Sequence, residues 1–303
     1  MEKLETEGVS VTSLCRTLSV SRSGYYGYLE SKNPKNHMAK IKKENEEIIK
    51  NQMEQIALKF PRYGYRRITK ELIRRGFNIN HKPVLRIMGE NDLLCKHKKK
   101  FVVTTDSNHS LKIYPNLLKF KNQNGEWEKL AITNINQVWV SDITYIPLTN
   151  GRFVFLAVVL DIYSRKVVGW NAGENLSTEL IVLALQMAIE KRKPSAGLIH
   201  HSDRGVQYAS YEYTDILKTN NFLISMSRKG NPYDNAVCES FNKTLKNDEV
   251  KINEYDSYLE AKLRIDYFIK ITYNTERLHS SLNYRPPEEF ENELTKGGIS
   301  VRF

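Results

Sequence analysis

The chain has 303 residues, 40% apolar and 27% charged; it is long enough for two or three units with a sizeable core and too balanced for disorder, collagen or low complexity. Its longest apolar run, Phe153 to Leu160, is eight residues, and the start MEKLETEGVS lacks an apolar signal core, so a soluble cytoplasmic protein with no membrane contact is expected. The net charge of +11 is uneven: residues 1 to 130 carry 26 basic and 14 acidic side chains, the remainder 20 and 21, which points to a polyanion-binding module joined to something that need not bind by charge alone.

No internal period of solenoid length is visible. Residues 10 to 30, SVTSLCRTLSVSRSGYYGYLE, outline a helix-turn-helix: Ser10 can cap a short helix carrying Leu14 and Leu18, and SVS turns into a second helix. Residues 36 to 58, with Ile41, Ile48, Ile49, Ile56 and Leu58, predict one long helix. From Pro61 to Leu94 the hairpin pattern returns. Ile68 and Leu72 mark one helix, Gly76 the turn, Asn80 a cap, and Val84, Ile87 and Met88 the face of another. Positions 61 to 100 hold 12 basic and 3 acidic residues. A DNA-binding helical unit is expected here, with Arg66, Arg67, Arg74, Arg75, Lys82 and Arg86 on phosphates and the helix after Asn80 reading bases. A solvated helical pair with a basic face is the plainer alternative.

Between residues 101 and 134 periodicity fades, and Pro115 and NQNGE suggest a linker or irregular strands. Val138 to Ile146, Arg152 to Ser164 and Lys166 to Ala172 are β-branched and aromatic runs separated by Pro147, Asn150-Gly151 and a short turn, which predicts three antiparallel strands. A helix from Ser177 to Lys191, the strand GLIHHSD, a helix around Tyr211 to Thr219 and the strand FLISMS follow. The expected class is α/β: a mixed five-stranded sheet with flanking helices behind all-α helix-turn-helix units. The division is 1–35 helix-turn-helix-like, 36–100 basic and helical, 101–134 linker, and 135–303 catalytic with a helical tail.

Three acids stand out by position. Asp142 interrupts an apolar strand, Asp203 ends the strand LIHHSD, and Glu239 opens a helix after RKGNPYDNAVC. An acid in a buried strand is costly unless a cation compensates it. Hard divalent ions take carboxylate oxygens, and two of them can activate an attacking oxygen and stabilise a leaving one in phosphoryl transfer. The plainer alternative is that the aspartates bond backbone amides and Glu239 serves the helix dipole. Asp161 reads as a strand end with a local turn. His200 and His201 are adjacent on a strand and point to opposite faces, so at least one of them is structural.

Between Asp203 and Glu239 lie 35 residues, flanked by IHHSDRGVQY and NPYDNAVCESFNKTLK. Here the sequence resembles the DD(35)E retroviral-integrase superfamily, and more closely the OrfB-type transposases of the bacterial insertion-sequence three family. LCRTLSVSRSGYY, YGYRRITKELIRRG, VWVSDITYI and YNTERLHSSLNYRPPEEF carry the resemblance over nearly the whole chain. It implies an RNase H-like catalytic core and a DDE polynucleotidyl transferase. Two Mg²⁺, replaceable by Mn²⁺, would be held by Asp142, Asp203 and Glu239. Lys246, seven positions after Glu239, and Lys243, four after it, fall on one helical face with it and would contact DNA; an ordinary solvated Glu-Lys pair is the alternative.

The implied activity is nicking of the element's ends followed by transfer of the 3′-hydroxyl to DNA. The implied partners are double-stranded DNA, as terminal inverted repeats and target, further copies of the chain when two ends are synapsed, and the product of an upstream overlapping frame. A DNA-binding repressor with a silent integrase-like domain is the alternative. The zinc module of retroviral integrases has no counterpart, because His37, His81, His97 and His109 are joined only by Cys15 and Cys95, without a CxxC pair; with Cys238 these are expected to be reduced thiols. The segment from Gly230 to Asn235 reads as a mobile loop over the site or a plain surface loop.

Overall fold

In this computed structural model the described residues are 10–32, 34–91, 93–94, 111–121, 124–228 and 235–297. Two compact units emerge, Met1–Cys95 and Lys96–Phe303. In the first, helix α1 (Val11–Thr17) is capped by the Ser10 hydroxyl, which accepts from the Ser13 amide at 3.2 Å. Leu14 is buried, but Leu18 lies past the helix end and is 51% exposed; the helix stops there because Ser19 turns left-handed, with φ 55°. Helix α2 (Arg22–Lys32) follows.

Helix α3 (Pro34–Lys59) is continuous, as expected, but its buried stripe is not the expected one. Met53 and Ile56 are sealed in the core with Phe60, whereas Ile48 and Leu58 face solvent, Leu58 at 83%. Positions 53, 56 and 60 recur at helical spacing, and Leu58 sits on the opposite side. Helices α4 (Tyr65–Arg74) and α5 (His81–Glu90) form the hairpin. Gly76 turns it at φ 90°, Asn80 caps α5 by accepting from the His81 amide, and Ile68, Leu72, Val84, Ile87 and Met88 are buried between the helices.

The described part of the second unit opens with a two-stranded antiparallel sheet, β1 (Lys119–Lys121) and β2 (Trp127–Lys129), within the stretch expected to be a linker or irregular strands. The main sheet follows: β3 (Val138–Pro147), β4 (Phe153–Asp161), β5 (Val167–Gly173), β6 (Ile199–Ser202) and β7 (Leu223–Met226), in the order β5-β4-β3-β6-β7. The first three are antiparallel, and β6 and β7 run parallel to β3 and to each other. The early segment is tied to the sheet's edge, for the Leu117 amide donates to Ser225 Oγ at 2.9 Å.

Strand alternation divides the core. Even-numbered Val154, Leu156, Val158 and Leu160 face one side, with α9 (Ala236–Leu245), α10 (Tyr258–Tyr267) and the π-helical turn Phe268–Glu276. Odd-numbered Ala157 and Val159 face the other, with α6 (Thr178–Arg192), α7 (Val206–Ala209) and α8 (Tyr211–Thr219). On that side α6 lies so close to β5 that a Cβ on Gly169 would come within 2.1 Å of the Ala184 carbonyl oxygen. This helix–sheet–helix sandwich, a mixed five-stranded sheet whose first three strands are antiparallel as expected, is an RNase H-like core. Helix α11 (Pro287–Gly297) closes the described chain. No helix among the described residues is long and apolar enough to cross a membrane.

Candidate active site

Asp142 lies in the middle of β3, opposite Val158 of β4, on the face against which α9 packs. From that helix Asn242 Nδ2 donates to Asp142 Oδ2 at 2.8 Å. On the neighbouring parallel strand, Val140 is level with His201, so Asp203, just past the end of β6, comes level with Asp142. The backbone then turns sharply: the Gly205 amide donates to Asp203 Oδ1 at 2.8 Å, and a Cβ on Gly205 would stand 3.0 Å from that oxygen. Glu239 is exposed in the first turn of α9. Residues 229–234, which include most of the expected loop, lie outside the described residues.

The three acids lie within electrostatic reach of one another. The Asp142 carboxyl is pushed up to about 7, first by burial, then by the charge of Asp203 and, less, of Glu239, against the opposing Ile143 amide and Asn242. Burial also raises Glu239. The Cys238 thiol is raised by burial and by all three acids together. Two buried polar atoms beside them, Tyr208 Oη and Asn242 Oδ1, have no hydrogen-bond partner among the described residues. The acids are not, however, gathered around one point: no group of three described His, Cys, Asp or Glu side chains is placed to hold a metal ion as it stands. Asp142 is drawn toward Asn242 and Asp203 toward Gly205.

Lys246 is the first residue beyond α9, where the helix widens into a π turn, Lys246–Val250. Its ammonium sits 4.6 Å from the centroid of Tyr145; burial lowers its pKa and the charge of Asp142 opposes that. Lys243 is exposed on α9 itself. Asn242, unmarked in the sequence reading, was signalled by its place three residues after Glu239, on the helical face that meets β3.

The other polar residues of the sheet are structural. Asp161 Oδ1 accepts from the Tyr163 and Ser164 amides at 2.9 and 3.0 Å, its Oδ2 accepts from the Asn136 amide at 2.5 Å, and Arg192 lies 3.9 Å away. His200 Nε2 meets Ser141 Oγ at 2.9 Å and Tyr213 Oη at 3.0 Å, and burial holds its ring neutral with a pKa pushed down to about 3. His201 Nδ1 meets Ser225 Oγ at 2.8 Å. Cys15 and Cys238 are buried free thiols; Cys95, His97 and His109 lie outside the described residues.

Several of the basic residues expected on DNA have partners within the first unit. Arg86 on α5 is clamped between Glu46 at 2.7 Å and Glu90 at 2.8 Å, and Arg75 bonds Glu71 at 3.3 Å and Gln52 at 3.0 Å. Their charge is shared with partners within the fold. Arg74 stands 3.9 Å from Glu71, Arg66 and Arg67 lie over the rings of Tyr65 and Tyr63, and Lys82 is exposed at the start of α5.

Comparison with known proteins agrees with this architecture. Models of an integrase core domain match residues 133–232 and 220–287, and a model of an HTH-like domain matches 43–101. The chain is 39% identical over 278 residues to the "Insertion element IS600 uncharacterized 31 kDa protein" of Shigella sonnei, covering 91% of this chain and 97% of that one. It is 39% identical to the "Transposase for insertion sequence element IS904" of Lactococcus lactis, with coverage of 76% and 87%. It is 33% identical to "Transposase InsF for insertion sequence IS3A" of Escherichia coli K12, covering 97% of each. Among solved structures, the HTLV-2 integrase catalytic core domain in complex with magnesium is a distant likeness, with TM-score 0.40 at 16% identity, covering 51% of this chain and 95% of that one. With such identity along almost their full lengths, the chain belongs to the insertion-sequence transposases of the IS3 family, polynucleotidyl transferases built on an integrase core.

Proposed function

We propose that Asp142, Asp203 and Glu239 are the catalytic acids with which this transposase nicks the ends of its element and joins the freed 3′-hydroxyl to DNA. The observation that carries the reading is the carboxyl of Asp142, placed on the central strand and pushed up to about 7 by burial and by the charges of the other two acids. The Ile143 amide, Asn242 and Lys246 offset that repulsion only in part, and Tyr208 Oη and Asn242 Oδ1 beside it have no hydrogen-bond partner among the described residues. Hard carboxylate oxygens around a site short of positive charge suit divalent cations of the Mg²⁺ or Mn²⁺ kind, and the acids would turn from Asn242 and Gly205 to hold them. When bound, two such ions would supply activation of the attacking oxygen and stabilisation of the leaving one.

The chain's own residues do the rest. Asn242 orients Asp142 through its amide, and Lys246 places an ammonium beside the phosphate that the acids address, with Lys243 one turn earlier on the DNA side. In the first step water forms a bond to phosphorus and the strand's 3′-oxygen leaves; in the second that 3′-hydroxyl attacks another phosphodiester and the next 3′-oxygen leaves. Neither step needs a bond to the protein.

End recognition falls to the helical unit, with α5 toward bases and Lys82, Arg66, Arg67 and Arg74 toward phosphates. In this reading the boundaries 1–35, 36–100, 101–134 and 135–303 divide recognition, spacing and chemistry. The protein works in the cytoplasm, oligomerises to hold two ends, and is joined by the product of an upstream overlapping frame. Asp142→Asn, Asp203→Asn and Glu239→Gln should each abolish nicking and joining while leaving gel-shift binding of end DNA intact. Substantial nicking by one of them removes that acid from the set. Binding without nicking by the parent protein in Mg²⁺ would favour the silent repressor.

A further inference from the structure

Two of the sequence motifs, DIYSR (161–165) and the run ending LHSSLNYRPPEEF, have no part in the proposed chemistry. The fold brings them together. Where the β4–β5 turn meets the segment around the 3₁₀ turn Ser280–Leu282, they enclose a cavity of about 290 Å³ whose lining includes Tyr163, Arg165, Ser281, Asn283, Arg285 and Phe290. We infer that this cavity is a second phosphate site, taking one phosphodiester of the bound DNA on Arg165, with Arg285 beside it.

The cavity is built rather than incidental. The Asp161 carboxylate fixes the turn by accepting from the Tyr163 and Ser164 amides. That leaves Arg165 at φ 61°, a left-handed conformation that glycine or asparagine adopts more easily. Opposite, Asn283 and Tyr284 are left-handed in succession, with φ 53° and 60°. The Tyr163 and Phe290 rings meet at 5.5 Å, and the Arg285 guanidinium stacks 5.1 Å from Phe290 while its Nε donates to the Leu282 carbonyl at 3.0 Å.

Charge then selects the ligand. Other arginines of this unit have carboxylate partners: Arg192 with Glu291 at 2.5 Å, Arg264 with Glu249 at 3.3 Å, Arg277 with Asp248, and Arg285 with Glu293. Arg165 is half-buried and has no hydrogen bond or ion pair among the described residues. The nearby acids are already taken, Asp161 by three amides and Arg192, Glu288 and Glu291 by Lys166. Burial lowers the pKa of Arg165, and the charge of Asp161, itself bonded to three amides, offsets this only in part. An unpaired guanidinium with a serine hydroxyl and an asparagine amide alongside matches the non-bridging oxygens of a phosphodiester.

The inference rests on the reading that this chain acts on DNA. For a DNA strand crossing the site along β3, strand register gives where the phosphate would lie. Asp161 stands opposite Trp139, and Asp142 is three residues further along β3, so the cavity is on the order of 10 Å along the sheet from the catalytic acids. At about 3.4 Å per nucleotide, the held phosphate would be roughly three nucleotides from the one being cut. It would act as a ruler for the strand crossing the site.

The experiment is a salt series of end-DNA binding by the full chain, parent against Arg165→Gln and Arg165→Lys, with ethylation interference on the same duplex. Circular dichroism confirms that each variant is folded. Arg165→Gln should flatten the plot of log affinity against log salt by about 0.9, as for one phosphate contact. Ethylation of one phosphate about three nucleotides from the cut should hinder the parent and not the variant, and Arg165→Lys should restore most of the slope. An unchanged slope with an unchanged interference pattern overturns the site. So does an unchanged slope with altered self-association, which would mean that the cavity holds a carboxylate of a second copy. Absence of salt-dependent binding by the parent itself would instead sink the DNA reading on which the inference stands.

Discussion

Replacing Asp142 by asparagine should stabilise the metal-free protein, by an amount that depends on pH. The carboxyl rises from its ordinary 3.8 to about 7 in the fold, and at about 1.4 kcal/mol per tenfold change in proton affinity that is a ceiling of about 4 kcal/mol. The residue is half-buried, and water around it screens part of the effect, leaving about 1 to 3 kcal/mol. An acid whose pKa is higher folded than unfolded takes up a proton on folding between about pH 4 and 7. Parent stability therefore falls as pH rises through that window, and the penalty is complete above it. Asparagine carries no such term, and its carbonyl can still accept from Asn242. In urea titrations with chelator, followed by the fluorescence of Trp139 and Trp170 in the catalytic unit, the two proteins should be near parity at pH 4 and should separate by pH 8. Mg²⁺ should then stabilise the parent and not the variant. Equal stability at pH 8, or a gap that does not change with pH, would refute the reasoning that Asp142 is held against electrostatic repulsion.

Three further outcomes follow from the geometry. Asp161→Asn should act in the opposite direction to Asp142→Asn, costing about 2 to 3 kcal/mol in the same titrations, because one of its oxygens accepts two amides and the other accepts Asn136 beside Arg192; a neutral result would show that the turn holds without it. Gly169→Ala should cost about 2 to 4 kcal/mol by forcing α6 off β5, since the new methyl would meet the Ala184 carbonyl at 2.1 Å and Ala188 Cβ at 2.8 Å; an unshifted melting temperature would show that the helix can give way. Lys82→Ala should reduce the salt slope of DNA binding by about 0.9, while Arg86→Ala, whose charge is shared with Glu46 and Glu90, should reduce it less; equal slopes for the two would reverse that order.

Most of the fold was legible because its signals are local. β-Branched and aromatic runs between turn signals gave β3, β4 and β5 to within a few residues, Ser177 marked the start of α6, and Gly76 and Asn80 marked the α4–α5 hairpin. What stayed hidden depends on tertiary contact. Helix α3 offered more apolar residues than it buries, and only packing selects Met53 and Ile56 over Ile48 and Leu58. The short pair β1 and β2 has no alternation to read, and its segment is held by bonds to β7 such as that from the Leu117 amide to Ser225. Arg86 looked like a free phosphate contact because its partner Glu46 is 40 residues away. The left-handed Arg165 could not be foreseen either, since arginine carries no turn signal.

For the site, the position of each acid was legible but not its energetic state. Asp142 and Asp161 are both aspartates in apolar strands of one sheet, and composition or periodicity cannot tell them apart. The fold does. Burial raises both carboxyls, but at Asp161 three amides and an arginine oppose it, so its hydrogen bonds are part of the structure and losing them should weaken it. Asp142 receives the Asn242 and Ile143 amides against burial and the repulsion of two neighbouring acids, so its charge is costly unless a cation joins it, as proposed above. The same contrast, with the sign reversed, separates Arg192, locked to Glu291, from Arg165, which faces a cavity unpaired among the described residues. A protein that must grip an anionic substrate and the cations that cut it needs charges of both signs left uncompensated by its own chain. Because such charges cost stability wherever they are partly buried, they persist only where a ligand returns that cost.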